Sequence, residues 1–382
     1  MYELQLSDFT KEEFLRDYWQ KKPVVIRQGF KDFNDPISAD EIAGLAAEEE
    51  VESRIVYKDK DSWQAEFGPF QCYEKLGDSG WSLVVQALDN WSEEAALMIE
   101  PFRFIPHWRL DDLMVSFATP GGGVGPHIDL YDVFICQGSG KRHWRVGDRG
   151  DHKEFAAHDA LLHVEPFEPI LDVELTAGDI LYIPPGFPHD GVTLDTSLSF
   201  SVGFRTNSTS SLMSGFADFL IDNELGNELI ADPQRTARKH SGAIDAEDEM
   251  LIKQQFINLL DNESLFRRFV GSFFTQAKHE LDLQVDEDGY DIEEVKAALA
   301  QNNLMKLGGL RAFYFPKSLK EGLCYIDGAE VSFEPNIAPA VQLLCDNVCV
   351  SVEDISPWLA NNDFIEFIMA QLNAGYWYFA EN

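Results

Sequence analysis

The chain contains few cysteines, and its five are scattered over 382 residues. An odd number of cysteines without any Cys-x-x-Cys pair argues against a disulfide scaffold and against a thiolate zinc site. We therefore expect the protein to work in a reducing cytoplasm.

Long apolar runs are also missing. No stretch of the sequence reaches the roughly 18 to 20 apolar residues that a membrane helix needs. The N-terminal residues MYELQLSDFTKEEF contain neither the basic segment nor the apolar segment of a secretory signal. The sequence predicts no membrane span and no secretion signal.

Basic residues are scarce as well. The chain has 30 Lys and Arg against 66 Asp and Glu, a formal net charge of −36. This charge opposes direct binding to a nucleic-acid backbone and attracts a basic partner. Basic proteins that bind ribosomal RNA are one class of such partners. Composition alone favours a simpler explanation, in which acidity maintains solubility or reflects a saline habitat.

Short β-rich runs fill the stretch from about residue 100 to 206. They are separated by Gly, Pro and Asp turns, which predicts a sandwich or barrel instead of a parallel sheet. Within 198–204, apolar residues alternate with Ser and Gly, so one strand face is apolar and the other small and polar. A small polar face inside a barrel leaves room for a ligand.

Helical patterns precede and follow this stretch. Residues 11–20 and 82–99 predict helices, and apolar residues recur at helical intervals after Thr206. The length favours two or three domains. Large apolar faces on the helices between 207 and 288 indicate a region that pairs with a second copy of the chain. Mixed helices and short strands form a last unit from 289 to 382.

The segment Gly121-Gly-Gly-Val-Gly-Pro-His127-Ile-Asp129 is the strongest functional signal. Residues i and i+2 of a strand point to the same side, so His127 and Asp129 can aim at one point. His189 follows Pro-Pro-Gly-Phe-Pro, whose rigid turn fixes its position. A lone His-x-Asp pair is a weak signal, but all three elements together are specific. The remaining seven histidines lack this setting, and we expect them to be structural or exposed.

Two histidines and one carboxylate on one face leave three coordination positions open. This ligand set is typical of non-haem Fe(II) oxygenases. In such a site 2-oxoglutarate occupies two of the open positions and O₂ the third. His127, Asp129 and His189 are therefore our predicted metal ligands and catalytic residues.

A 2-oxoglutarate enzyme also needs a cation for the distal carboxylate of its co-substrate. Arg142 alternates with the inward-facing Trp144 and Val146 on the strand after the His-x-Asp motif, and we select it for this role. A surface arginine of a β-hairpin would produce a similar pattern. Ser116, at an inward position of LMVSFAT, could add a hydroxyl hydrogen bond.

The motifs GGGVGPHIDLYDVFICQGSGKRHWRVG, GDILYIPPGFPHDG and FSVGFR resemble the JmjC oxygenases. The resemblance covers nearly the whole chain and is greatest to the bacterial ribosomal oxygenases, which hydroxylate an arginine of a large-subunit ribosomal protein. It implies a mixed α and β fold. The expected domains are a double-stranded β-helix (cupin/JmjC-like) core with N-terminal helical elements (1–206), a helical dimerisation region (207–288) and a winged-helix-like domain (289–382).

The resemblance implies functional residues as well. It assigns the metal to His127, Asp129 and His189, and it places Arg142 and Ser116 at the co-substrate. The implied cofactors are Fe(II), 2-oxoglutarate and O₂, and the implied substrate is a basic ribosomal protein. A winged helix invites a nucleic-acid role, but residues 321–371 carry a marked carboxylate excess, so we expect no direct nucleic-acid binding.

Two other functions stay open at this stage. The same triad would serve a demethylase acting on a methylated basic protein. A non-catalytic cupin-like module holding zinc or nickel would also need these ligands. For a guanidinium substrate, the acidic or phenolic side chains nearest the motifs in sequence are Tyr131, Asp132 and Asp190.

Overall fold

The computed structural model describes residues 2–60, 62–283, 285 and 289–380. The chain forms two compact units. The first contains residues 1–206 with two short stretches that begin at Lys278 and Leu307, and the second contains most of the remainder. None of the described helices is both long enough and apolar enough to cross a membrane.

The first unit is built mainly from antiparallel strands. Its strands are β1 (Val24–Ile26), β2 (Ser53–Asp59), β3 (Ser62–Phe67), β4 (Trp81–Val85), β5 (Leu113–Ala118), β6 (His127–Ile128), β7 (Asp132–Gln137), β8 (Lys141–Gly147), β9 (Glu154–His158), β10 (Leu161–Val164), β11 (Pro169–Thr176), β12 (Ile180–Ile183), β13 (Pro188–Thr193) and β14 (Ser197–Phe204). Its helices are α1 (Lys11–Asp17), α2 (Ala39–Leu45) and α3 (Glu93–Ala96).

Two sheets of this unit face each other. The major sheet has the order β1-β12-β7-β14-β5-β4-β2-β3, and the minor sheet has the order β11-β8-β13-β6. Ile135 and Leu181 of the major sheet share one buried cluster with Trp144 and Val146 of the minor sheet. This cluster forms part of the interior between the sheets, and the facing antiparallel sheets are those expected of a double-stranded β-helix.

The other face of the major sheet carries the large core of the unit. On β14, the apolar residues of the predicted alternation, such as Phe200 and Val202, pack into this core. Ser199 and Ser201 alternate with them and face the space between the two sheets. Helix α1 closes part of this core with Phe14 and begins at a capping box formed by Thr10 and Glu13.

The helix predicted over residues 82–99 is wrong. This stretch holds β4 and then, after a 3-10 turn, the four-residue helix α3. All five residues of β4 are buried, because Leu83 faces the large core while Ser82 and Val84 face the space between the sheets. A strand that is buried on both faces loses its polar alternation, so its sequence resembles a buried helix.

The second unit is mainly helical. Its helices are α4 (Thr209–Asp222), α5 (Ala246–Asp261), α6 (Glu263–Thr275), α7 (Ile292–Leu299), α8 (Pro316–Lys320), α9 (Ala338–Asp346), α10 (Val352–Ile355) and α11 (Asn362–Asn373). Its strands are β15 (Leu304–Lys306), β16 (Ala312–Phe313), β17 (Leu323–Ile326), β18 (Ala329–Ser332), β19 (Cys349–Val350) and β20 (Trp377–Phe379). They form two three-stranded sheets, β19-β15-β20 and β16-β17-β18.

Candidate metal centre

The backbone around His127 is shaped by glycine. Gly125 has a φ of +83°, and a Cβ atom there would lie 2.3 Å from the ring of His163. Only glycine fits this left-handed conformation and this close approach. The Gly-rich segment before His127 therefore leads into the short strand β6, and the ring of His163 packs against the backbone of Gly125.

His189 is held beside His127 by strand pairing. The two histidines are direct partners in the antiparallel pair β13–β6. The turn before β13 is tied to the other ligand as well, since the Gly186 amide donates a hydrogen bond of 2.8 Å to the Asp129 carbonyl. Residues separated by 60 positions in the sequence are thus fixed within one short piece of sheet.

The three predicted ligands converge in the structure. One ligand atom from each of His127, Asp129 and His189 lies within 4.8 Å of the other two. The Asp129 carboxylate is 3.7 Å from the Nε2 atom of His127 and 3.5 Å from the Nε2 atom of His189. Within the described part of the chain, this is the one group of three such side chains so placed. The geometry suits a single divalent metal ion.

Both histidines present the same nitrogen to this point. The Nδ1 atom of His127 is 2.9 Å from the Gly125 carbonyl, and the Nδ1 atom of His189 is 3.0 Å from the Phe187 carbonyl. A carbonyl oxygen can only accept, so each Nδ1 carries the proton and donates it. The lone pair of each Nε2 is then free for a metal, and the ring orientation is fixed.

Electrostatics favours the metal-binding protonation states of His127 and Asp129, and it opposes the neutral form of His189. Burial, followed by repulsion from His189, lowers the pKa of His127 to about 4. Burial acts to raise the pKa of Asp129, but the two histidines outweigh it and lower this pKa to about 2. Burial acts to lower the pKa of His189, but the Asp129 carboxylate outweighs it and raises this pKa. A metal cation would replace the proton that Asp129 draws to His189.

Arg142 lies on the inner face of β8 and is only 5% exposed. Its guanidinium donates to the hydroxyl and carbonyl oxygens of both Ser116 and Ser197, at 2.7–3.4 Å. Among the described residues, no carboxylate pairs with this charge, and burial lowers the pKa of Arg142 to about 9. One Nη1 hydrogen of Arg142 and the Ser116 hydroxyl hydrogen remain to be donated. Together they fit one carboxylate.

The three predicted substrate contacts occupy different places. Tyr131 is beside the metal ligands, and the nearby Asp129 charge, after burial, raises its pKa. Asp132 is fully buried on the opposite face of the major sheet, where it accepts hydrogen bonds from Tyr182 and Gln20. Asp190 follows His189 on β13 and therefore points to the other face, where it pairs with Arg145 in register. The structure brings only Tyr131 to the metal ligands.

One charged side chain near the site does not belong to any of the motifs in the sequence. Arg54 on β2 contributes, through its charge, to the pKa values of both His127 and Tyr131, which are set mainly by burial. The signal that could have found it is the alternation along SRIVY. Ile55 and Tyr57 pack into the large core, so Arg54 and Val56 face the space between the sheets.

Two known families match the chain. The JmjC domain family matches residues 97–212, and the ROXA-like winged helix family matches residues 258–378. The fold and the site thus define a JmjC-domain protein that carries a winged helix, as the sequence predicted.

Comparison with similar proteins identifies the family within this class. The chain is 44% identical to the ribosomal protein uL16 3-hydroxylase of Escherichia coli (strain K12), over 96% of this chain and 97% of the relative. It is 37% identical to a probable ribosomal oxygenase of Haemophilus influenzae, over 78% of each chain. The protein belongs to the ribosomal oxygenase family.

Solved structures agree with this assignment. The crystal structure of E. coli ycfD has a TM-score of 0.93 and 43% identity, and it covers 99% of this chain and 100% of its own. E. coli YcfD in complex with cobalt and 2-oxoglutarate has a TM-score of 0.90 and 42% identity, with 100% of both chains covered. Another YcfD structure contains cobalt and succinic acid. The same fold therefore holds cobalt together with 2-oxoglutarate or succinic acid in a relative.

Proposed function

We propose that this protein is an Fe(II)- and 2-oxoglutarate-dependent oxygenase that hydroxylates an arginine side chain of a large-subunit ribosomal protein. The proposal is carried by two features observed together. The Nε2 atoms of both histidines lie beside the Asp129 carboxylate, and the buried Arg142 pairs with no carboxylate among the described residues. A metal-binding module without co-substrate would have no use for the second feature.

Each residue has a role in this proposal. His127, Asp129 and His189 would hold the iron, which with 2-oxoglutarate supplies the means to activate O₂. The carbonyls of Gly125 and Phe187 fix the tautomer and the orientation of the two imidazoles. Arg142 and Ser116 would donate to the distal carboxylate of 2-oxoglutarate. The low exposure of Arg142 excludes water, which strengthens its hydrogen bonds to an anion.

We base the proposed recognition of the substrate on the charges near the metal ligands and on the net charge of the protein. A guanidinium needs an acidic or phenolic acceptor near the metal, and Tyr131 stands next to Asp129. Asp112 is buried, and its charge also acts on Tyr131. The net charge of −36 suits a basic protein partner better than a nucleic acid. A ribosomal substrate would require the protein to act in the cytoplasm.

We also propose a homodimer formed through the second unit. Helix α5 has 16 residues, and none of them is buried. Ile252, Phe256 and Leu260 follow one another at intervals of four residues and are 44%, 56% and 41% exposed. Apolar residues in such a stripe are normally covered by another helix. A second copy of the chain would provide that cover.

The test is mass spectrometry of ribosomal proteins from cells with and without the gene, and from deleted cells that express either wild type or His127→Ala. We expect one arginine peptide of a large-subunit protein to carry the mass of one extra oxygen only when the wild type is present. If no such peptide disappears on deletion, the arginine hydroxylase proposal is wrong.

The two alternatives are separated by purified components. A demethylase would release formaldehyde from a methylated basic peptide instead of leaving a stable hydroxyl group. A non-catalytic module would form no succinate with added Fe(II) and 2-oxoglutarate. We expect succinate formation that requires Fe(II) and is lost in His127→Ala.

A further inference from the structure

His163 is a buried histidine that belongs to neither of the motifs that supply the metal ligands. It lies on β10, and its side chain is only 1% exposed. The rings of Trp63 and Phe155 meet it edge to face, with ring centroids 4.9 Å and 6.2 Å away. Aromatic packing therefore holds the imidazole in one orientation.

The two nitrogens of His163 are used unequally. Its Nε2 atom is 2.9 Å from the Val124 carbonyl, and since a carbonyl oxygen can only accept, Nε2 carries the hydrogen and donates it. The Nδ1 atom is then an acceptor, and it is buried without a hydrogen-bond partner in the part of the chain that the structure describes. An unpaired buried acceptor costs free energy that an apolar side chain would avoid. A histidine at this place indicates that the hydrogen bond to Val124 has a use of its own.

The segment that receives this hydrogen bond is the one that orients His127. The Gly125 carbonyl accepts from the Nδ1 atom of His127. The carbonyls before and after it are both bound by β10. The Val124 carbonyl accepts from the His163 side chain, and the Pro126 carbonyl accepts at 2.9 Å from the backbone amide that directly follows His163. Strand β10 thus holds the segment on both sides of the carbonyl that His127 uses.

The Gly125 carbonyl needs this support because its own peptide group provides none. That group ends at Pro126, which lacks an amide hydrogen, so no N–H donates from the same plane. Gly125, with a φ of +83°, also has the conformational freedom to turn. The ring of His163 fills the space in which a Cβ atom of Gly125 would lie, 2.3 Å away. The direction of the carbonyl therefore depends on contacts with β10, and His163 provides one through its side chain.

We propose that His163 is a positioning residue of the metal centre, which holds the segment before β6 so that the Gly125 carbonyl keeps the Nε2 atom of His127 available to a metal ion. This inference rests on the proposed function, because it takes the triad to be a metal site. His163 is not one of the three converging side chains, and it acts on His127 through the backbone. Its substitution should therefore change the metal site without removing a ligand.

The test compares variants of His163 in the purified full-length protein. His163→Phe keeps an aromatic ring in the packing and removes the donor, whereas His163→Gln places an amide donor near the position of Nε2. His158→Phe is the matched control, since His158 lies on the neighbouring strand β9 and accepts from the Ala160 amide of its own hairpin. Titration with Mn²⁺ measures the metal affinity, and thermal unfolding of the metal-free protein measures the stability.

A second measurement follows the proton on His127. In zinc-loaded protein with nitrogen-15 in its histidine rings, NMR measures how fast the Nδ1 hydrogen of His127 exchanges with water. A hydrogen bond to the Gly125 carbonyl slows this exchange, so loss of the carbonyl orientation speeds it. The Nδ1 hydrogen of His189, which is bonded to the Phe187 carbonyl, is the internal reference. A general loss of stability would affect both histidines.

We expect His163→Phe to weaken Mn²⁺ binding about tenfold, at the lower end of the effect that removal of an outer partner of a ligand has. The same variant should speed exchange at His127 and leave exchange at His189 unchanged. His163→Gln should restore most of the affinity and the slow exchange, because it restores the donor to Val124. His158→Phe should match the wild type in both measurements.

Wild-type affinity and unchanged exchange at His127 in His163→Phe would overturn the inference and leave the oxygenase proposal intact. Equal losses in His163→Phe and His163→Gln, or equally faster exchange at His127 and His189, would also overturn it, because His163 would then only support the fold. If the wild type binds no Mn²⁺, the proposed function itself is wrong. If His163→Phe does not fold, His163→Leu takes its place in the same comparison with His163→Gln.

Discussion

Each candidate metal histidine is oriented by a carbonyl two residues before it in the chain. Gly125 serves His127 and Phe187 serves His189 in the same way. The carbonyl groups that orient the two histidines thus belong to the same short segments that contain the histidines. Side-chain substitutions elsewhere leave these contacts in place, so loss of metal should be confined to the ligands and to residues that shape the two turns.

We expect His127→Ala and His189→Ala each to weaken binding of a divalent metal by more than the roughly 10- to 100-fold loss that removal of an outer hydrogen-bond partner causes. Metal content of the purified variants and titration with Mn²⁺ measure this. His143→Ala is the control, because His143 pairs with Asp172 on a partly exposed face. Equal metal loss in the control would contradict the assignment of the triad.

In each strand, the alternation of side chains between the two faces determines which residues face the site. Only some strands show this alternation in their sequence. On β8 and β14 the inner and outer residues differ in polarity, so the inward position of Arg142 was predictable. Along β4 both faces are buried, and the prediction of a helix was wrong. On β2 the inward Arg54 was missed because a lone arginine between apolar residues looks like an edge residue.

Nearness in sequence to a metal ligand did not determine which of the predicted substrate contacts lie beside the metal ligands. Asp132 and Asp190 were selected because each stands close to a metal ligand in the chain. Asp132 begins a strand in which Phe134 and Cys136 face the large core, so it faces that core too. Asp190 is adjacent to His189 on one strand and therefore lies on its opposite face. Only the pairing of strands that are distant in the sequence shows which face of each strand lines the site.

Asp179, directly before β12, connects this strand to Arg27 and Gln28 through hydrogen bonds. It accepts hydrogen bonds from the backbone amides of Gln28 and Thr176 and from the Arg27 guanidinium. Burial acts to raise the pKa of Asp179, but these hydrogen bonds outweigh it and the pKa is lowered. Its ionised form therefore stabilises the fold above the ordinary pKa of about 4, and this contribution disappears as the pH falls below it.

We expect Asp179→Asn to reduce the free energy of unfolding by about 1 to 3 kcal/mol at neutral pH, as the loss of hydrogen bonds to a charged group does. The difference from wild type should shrink as the pH falls below about 4. Urea denaturation at both pH values measures it. Asp159→Asn, in an exposed turn, should change nothing at either pH. A difference that grows towards acid would contradict the assigned direction.

Helix α5 provides the second prediction for an element. Phe256→Glu should convert a dimer to a monomer, because it places a charge in the middle of the exposed apolar stripe. Sedimentation velocity measures the change. Gln254→Glu introduces the same residue on the other side of the helix and should leave the dimer intact. A monomeric wild type would rule out the proposed dimer, and an unaffected Phe256→Glu would exclude this stripe as its interface.

At the scale of the molecule, the acidic charge is unevenly distributed in the sequence. No Lys, Arg or His follows Lys320, so the C-terminal part of the winged helix contains no basic residue. Winged helices that bind nucleic acid need positive charge at the backbone phosphates. The family assignment of residues 258–378 therefore describes a fold, and the charge of this chain opposes that use of it.

The charge predicts a salt dependence. With a basic ribosomal protein as substrate, kcat/KM should fall steeply between about 50 mM and about 200 mM salt, because screening shortens the reach of the attraction. Turnover of 2-oxoglutarate without protein substrate should change little over the same range, since Arg142 is buried. Paired assays of succinate formation measure both. Equal salt dependence of the two rates would show that the net charge does not attract the substrate.

Arg142 also has a consequence for the lifetime of the protein. Its buried guanidinium pairs with no carboxylate in the described part of the chain, and the bound co-substrate would supply that missing ion pair. A ligand that binds only the folded state adds about 2.7 kcal/mol of stability at a hundred times its dissociation constant. Cells rich in 2-oxoglutarate would thus keep more of this enzyme folded and protected from proteases than starved cells. Its abundance would follow the metabolic state without any change in gene expression.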